Sequence, residues 1–134
     1  VITLVDIYTR WDYFIGPLYA LLSERTPDQS ISHRRMPTME EHRAFVERKP
    51  YTKWYEILAD GKSVGAIYLS NRNEIGVSIF LNQQRKGYGS AAVRELMALH
   101  PGPFLANINP KNEASIRMWE SLGFKLLQVT YAKP

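Results

Sequence analysis

The sequence predicts a mixed α/β domain whose mostly antiparallel central sheet carries helices on both faces. Segments with strand periodicity and segments with helical periodicity follow one another in the order βααβββαβαβ. Three of the strands run in succession as a meander, which argues against a repeating βαβ array. No internal repeat and no Gly-, Ser- or Pro-rich linker divides the 134 residues, so one domain spanning 1–134 is expected.

Ile2 to Tyr8 alternates weakly between apolar and polar residues and reads as the first strand. Gly16-Pro17 then places a proline to open a short helix through Leu18, Leu21 and Leu22. After a polar stretch from Thr26 to Arg35, Thr38-Met-Glu-Glu41 supplies a capping box for a second helix reaching about Lys49. Trp54 to Ala59 and Val64 to Leu69, joined at Asp60-Gly61, read as a hairpin. Asn71 to Asn73 makes another turn before a strand from Glu74 to Leu81. Ile75, Val77, Ile79 and Leu81 share one face of that strand, and Glu74, Gly76, Ser78 and Phe80 the other. Beyond a glycine loop, Ala92, Val93, Leu96, Met97 and Leu99 recur at helical spacing until His100-Pro-Gly-Pro103 stops them. Phe104 to Ile108 is expected to be a short strand. Asn112 caps a last helix with Ile116, Trp119 and Leu122 as its buried stripe and Gly123 as its stop. Phe124 to Tyr131 is expected to close the sheet.

Composition narrows the function. The chain is 45% hydrophobic and 12% aromatic, as a globular core requires. With no cysteine, disulfides, thiolate metal sites and a cysteine nucleophile are excluded, and no metal ligand set is expected. No apolar run approaches the roughly 20 residues of a membrane span, and Asp6 interrupts the segment from Val1 to Ile7 that a signal peptide would need. A cytoplasmic protein without a membrane partner is the expectation. Seventeen basic against thirteen acidic residues give +4, which suits an anionic ligand but falls short of a dedicated nucleic-acid binder.

The stretch Leu81-Asn-Gln-Gln-Arg-Lys-Gly-Tyr-Gly-Ser90 carries the chemistry. Gly87-Tyr-Gly89-Ser-Ala-Ala92 matches the G-x-G-x-x-A dinucleotide pattern between a strand and a helix. The acid expected about 20 positions on, for a ribose, is replaced by Asn107 and Asn109. Glycines at 87 and 89 still clear the main chain for an anion, and the amides of residues 85–90 open a helix whose N-terminus favours negative charge. A pyrophosphate suits this loop; a plain strand-to-helix turn is the competing reading.

Gln84-Arg-Lys-Gly87-Tyr-Gly89 resembles the [Q/R]-x-x-G-x-[G/A] pyrophosphate loop of the GNAT superfamily of acyl-CoA-dependent N-acetyltransferases. Asn112-Glu-Ala-Ser115, followed by Trp119 and Gly123-Phe124, resembles that family's second cofactor motif. The two stand in the family's order, and the resemblance covers nearly the whole chain from Val1 to Tyr131. It implies a sheet that splays open in the middle, with acetyl-CoA in the cleft. The pantetheine arm would add along Ser78, Ile79, Phe80 and Leu81. The pyrophosphate would sit on Arg85, Lys86, Gly87, Tyr88, Gly89 and Ser90 after Gln84, with Asn112, Ser115 and Trp119 beyond it.

Acetyl transfer to an amine needs a base, because an alkyl ammonium with a pKa near 10 is almost wholly charged at neutral pH. A carboxylate where Glu74 stands resembles the base position of several family members. Its spacing to the loop is about a residue short, which on a strand reverses the face unless a bulge restores it. Glu56 is the second candidate, on the polar side of the neighbouring strand. The tyrosine that serves as acid in many members is replaced by Trp119, whose indole cannot take that role, so Tyr131 or Ser78 would substitute. The chain also ends one strand earlier than the family pattern, which leaves either a partner subunit closing the sheet, as in a homodimer, or a more open acceptor site.

The segment Ser30 to Pro37, with His33, Arg34 and Arg35, would meet the acceptor, and its cations suit a phosphate-bearing amine such as a nucleotide-linked amino sugar. His42 reads as a helix-surface residue. A peptide or protein amine is the rival acceptor, and a CoA- or nucleic-acid-binding module the rival of another class.

Overall fold

Four strands pair in sequence order into one antiparallel sheet: β1 (Ile2–Asp6), β2 (Lys53–Ala59), β3 (Lys62–Leu69) and β4 (Ile75–Ile79). The structure is a computed structural model that describes residues 1–25 and 35–134. Its helices among those residues are α1 (Trp11–Ser23), α2 (Met39–Glu47), α3 (Tyr88–Leu99) and α4 (Glu113–Ser121), with single 3-10 turns at Ile7–Thr9 and Leu81–Gln83. The sheet separates two cores. Ile57, Ile67, Leu69 and Ile75 pack with Val93 and Leu96 of α3 and Trp119 of α4. On the other face Trp54 and Ala66 meet Phe14 and Leu18 of α1 and Val46 of α2. Neighbouring residues Ala66 and Ile67 serve opposite cores, as the two-residue period of a strand requires.

The expected turns form for local reasons. Asp60 and Gly61 both adopt positive φ, 51° and 81°, the twist-matched pair that joins β2 to β3. Thr38 accepts the Glu41 amide while Glu41 reaches back to the Thr38 amide, completing the capping box of α2. Asn112 Oδ1 accepts the Ser115 amide at 3.2 Å at the start of α4, and Gly123 follows its end at φ 93°.

Three expectations are corrected. The first strand stops at Asp6, whose carboxylate takes the Tyr8 amide at 2.9 Å and starts a 3-10 turn. Helix α1 begins at Trp11 instead of Pro17, so the proline lies inside it. Gly16 makes that tolerable, since it offers no Cβ to the pyrrolidine ring, and the buried stripe Phe14, Ile15, Leu18 and Leu21 runs straight through. Neither late strand forms. Phe104 to Ile108 contributes one parallel bridge, Leu105 to Glu74, and then leaves β4. Phe124 to Tyr131 has strand-forming residues but pairs with no strand among the described residues, and Leu126, Leu127 and Val129 stand exposed.

Candidate functional site

The parting of β4 from residues 105–109 creates the site. Ser70 and Phe80 bond across to Glu74 and Val64, and the alternation between those points turns the main-chain groups of Gly76 and Ser78 toward β3. Those of Ile75, Val77 and Ile79 therefore face the other edge. The Ile75 amide bonds Leu105 O at 2.8 Å and Leu105 returns a bond to Asn73 O at 2.9 Å. Asn73 also clamps the incoming chain, its side-chain amide donating to Pro101 O and Pro103 O, each at 3.0 Å. Past Leu105 the two segments diverge around a cleft of about 530 Å³, lined by Val77 and Ile79 on one wall and Asn107, Ile108 and Asn109 on the other.

The loop after β4 forms the deep end of that cleft. Gly87 takes φ 81° immediately before α3, a conformation that suits glycine, and makes no side-chain cap. The first intrahelical bond runs from the Ala91 amide to Gly87 O at 3.1 Å, which leaves the amides of Tyr88, Gly89 and Ser90 ahead of it. Arg85 is likewise left-handed, at φ 65°. Alternating left-handed residues before a helix turn successive amides inward, forming an anion-binding hollow. An uncapped helix start, open space around Gly87 and adjacent cationic residues fit the pyrophosphate of a CoA.

Of the residues expected at the cofactor, Ile79, Leu81, Gln84, Arg85, Gly87, Tyr88, Gly89, Ser90, Asn112, Ser115 and Trp119 line the cleft. Phe80 and Lys86 do not: the Phe80 ring packs into the core beneath α1, and Lys86 Nζ donates to Gln83 Oε1 at 3.2 Å. Gln84 Nε2 donates to Ile79 O at 3.2 Å, so it braces the strand end. Trp119 is buried, edge-on to Phe124 at 4.8 Å, and forms an apolar floor.

The polar face of β4 looks away from α3 and α4. No register shift interrupts its pairing with β3, so no bulge offsets the short spacing between Glu74 and the loop, and Glu74, Gly76 and Ser78 stay on one face. Glu74 does not itself line the cleft; its Oε1 accepts from Ser70 Oγ at 3.1 Å and its Oε2 from Nδ2 of the lining residue Asn107 at 2.7 Å, which holds the carboxylate beside the cleft. Ser78 lines the cleft and accepts from Arg25 at 3.4 Å. Tyr68 stands over Gly76, where any Cβ would run into its ring, and stacks on Tyr51 with centroids 3.8 Å apart. Burial pushes the phenols of Tyr51 and Tyr68 above the usual tyrosine range, so both remain neutral donors.

Other candidates fall elsewhere. Tyr131 is 93% exposed in the chain beyond α4, outside the cleft. Arg35 is held by both carboxylate oxygens of Glu41 at 3.1 and 3.0 Å and does not line the cleft. His33 and Arg34 lie outside the described residues. Glu56 is a correction: it is 1% exposed, lies under α1 beside the cross-strand neighbours Val5 and Ala66, and bonds Ser63. Its β2 backbone position is two strands from Ser78, roughly 10 Å away at normal strand spacing. His42 is buried against Tyr19 instead of lying on the helix surface. Glu24, Arg25 and Tyr68 line the cleft without having been singled out, and Asn107, noted in the sequence only as replacing an acid, lines it too. Only the asparagines of 107–109, unusual in an apolar strand, gave a local signal.

The model of the acetyltransferase (GNAT) family matches residues 17–124. A domain from Methanocaldococcus jannaschii shares the fold at TM-score 0.76 and 24% identity, over 93% of this chain and 88% of that one. An N-acetyltransferase from Staphylococcus aureus matches at TM-score 0.68 and 18% identity, over 93% and 82%. The spermidine/spermine N-acetyltransferase SpeG from Vibrio cholerae matches at 0.71 and 14%, over 92% and 79%. A comparison with curated proteins gives no match.

Proposed function

The chain belongs to the acetyltransferase (GNAT) family, and on that premise we propose that it acetylates a primary amine of a small acceptor, a nucleotide-linked amino sugar, by direct attack in a ternary complex. Its acyl donor is acetyl-CoA, the donor of the family. The observation that carries the reading is the meeting, in one cleft, of a strand edge at Val77 and Ile79 that no strand covers among the described residues with the uncapped start of α3. The edge suits an extended amide-bearing arm, and the helix start suits the diphosphate to which that arm is joined.

Bound acetyl-CoA supplies a thioester whose carbon the amine attacks, a C–N bond replacing the C–S bond while the departing sulfur and a base take up the amine's protons. Glu74, fixed by Asn107 and Ser70, is the carboxylate placed to receive a proton from the acceptor. The Val77 amide, facing the gap, is the donor available to an oxyanion. Trp119 has no acidic proton to give and Tyr131 stands outside the cleft, so of the two substitutes read from the sequence the Ser78 hydroxyl is the one that lines it.

The direct test is thermal unfolding with acetyl-CoA followed by a thiol-release screen across amino sugars, nucleotide sugars, polyamines and peptides. Acetyl-CoA should raise Tm, and Gly87→Glu or Gly89→Glu should abolish the rise by placing a carboxylate in the anion hollow. An undiminished rise in both variants would remove the basis of the cofactor placement. Release with peptides alone would move the acceptor to the peptide class.

A further inference from the structure

Arg25 is the cleft residue that acetyl transfer by itself leaves without a task. It stands just past the end of α1, and its position is set from next door: Glu24 Oε1 accepts the Leu81 amide at 2.8 Å, tying α1 to the segment that follows β4. Among the described residues the guanidinium donates to Ser78 Oγ, at 3.4 Å, long for a hydrogen bond, and its charge acts on the neutral phenols of Tyr51 and Tyr68. A guanidinium presents five donors in a planar fork, so most of its donors have no partner among the described residues. No carboxylate among the described residues pairs with it either. Glu24 accepts instead from the Leu81 amide, and Glu74 from Ser70 and Asn107.

The charge is also on the acceptor's side of the sheet. Ser78, which it touches, shares the polar face with Glu74, while the opposite face of β4 packs on α3 and α4. Residues 74 and 78 are separated by roughly 13 Å along a strand. Taking about 3 Å at each end for a hydrogen bond to the ligand, that spacing leaves roughly 7 Å between an amine at Glu74 and an anion at Arg25, of the order of the span from amine to phosphate in a phosphorylated sugar. A planar fork matches phosphate oxygens two at a time.

We propose that Arg25 binds a phosphate of the acceptor and is the residue that selects phosphorylated amino sugars over neutral amines. This rests on the acetyl-transfer reading above. The test compares initial rates for an aminohexose, its 1-phosphate and its uridine diphosphate ester, in the wild type, Arg25→Gln and Arg25→Lys. The wild type should prefer the phosphorylated amines, and Arg25→Gln should shrink that preference in kcat/KM about tenfold or more, mainly through KM, with Arg25→Lys recovering part of it. A 1-phosphate as good as the diphosphate ester identifies a sugar phosphate as the source of the anion; a better diphosphate ester identifies the nucleotide-linked form.

Equal losses on all three amines, or an unchanged preference, overturn the assignment. Should none of the three react, uridine diphosphate titrated into protein saturated with CoA decides. Binding weakened about tenfold by Arg25→Gln upholds it, and absent or unweakened binding overturns it. Failure of the wild type to gain Tm with acetyl-CoA is a separate result that counts against the acetyl-transfer reading instead.

Discussion

Glu56 and Glu74 are two carboxylates on the same face of one sheet, and their surroundings give them different work. Glu74 keeps both oxygens engaged beside the cleft. Glu56 lies beneath α1, where burial pushes its carboxyl up to about 7 against the opposing bond from Ser63, and Oε2 meets no partner among the described residues. The folded state therefore holds this proton more tightly than the unfolded chain, in which a glutamate titrates near 4.3. Stability from this group is fully present below that value and is lost as pH rises toward about 7, at a slope of about 1.4 kcal/mol per unit. Tm measured from pH 5 to 8 should fall for the wild type and fall distinctly less for Glu56→Gln; parallel curves would show that the carboxyl is ionised throughout. Sequence alone placed Glu56 on a polar strand face. It could not tell that α1 covers that face, because the covering helix is distant in the chain.

At the scale of elements, caps and turns were legible and helix starts were not. The capping box at Thr38 and Glu41 depends on residues three apart, so its geometry is local. The partner Arg35 adds to it, holding the Glu41 carboxyl at about 2, first through its hydrogen bonds, then with the Thr38 amide. Thr38→Ala should cost about 1 kcal/mol, read as a reduced midpoint in chemical unfolding. An unchanged midpoint would mean that α2 is held by its packing alone. The start of α1 was misread because proline at a first helical position is the common case. Here the apolar stripe on both sides of Pro17 outweighs one lost backbone bond, and Gly16 relieves the clash. The late strands failed for a complementary reason: strand propensity describes a residue suited to a sheet, and a sheet edge must also be within reach. Phe104 to Ile108 meets that edge at Leu105 only.

For the whole molecule, the cleft exists because β4 and the 105–109 segment are joined at one end and free at the other. Asn73 is the hinge of that arrangement, bonding Pro101 O and Pro103 O from a left-handed backbone at φ 58° that asparagine tolerates better than most residues. Asn73→Asp keeps the backbone tolerance and removes the donor. It should lower stability by about 1–2 kcal/mol and weaken acetyl-CoA binding, because the wall bearing Asn107 and Asn109 loses its anchor. Calorimetric titration with acetyl-CoA checks the second effect, and wild-type affinity in a destabilised variant would show that the wall is held elsewhere. Among the described residues no helix is long and apolar enough to cross a membrane. The sequence by itself determined the meander, the turns, the caps and the glycine loop, since each depends on residues within a few positions of one another. It also carried both motifs by which the family is recognised. The tertiary structure alone decided which carboxylate is buried, which arginine stands in the cleft and where the sheet parts. Those outcomes depend on contacts between residues such as Glu74 and Asn107 or Arg25 and Ser78, which are brought together only when the chain folds back on itself.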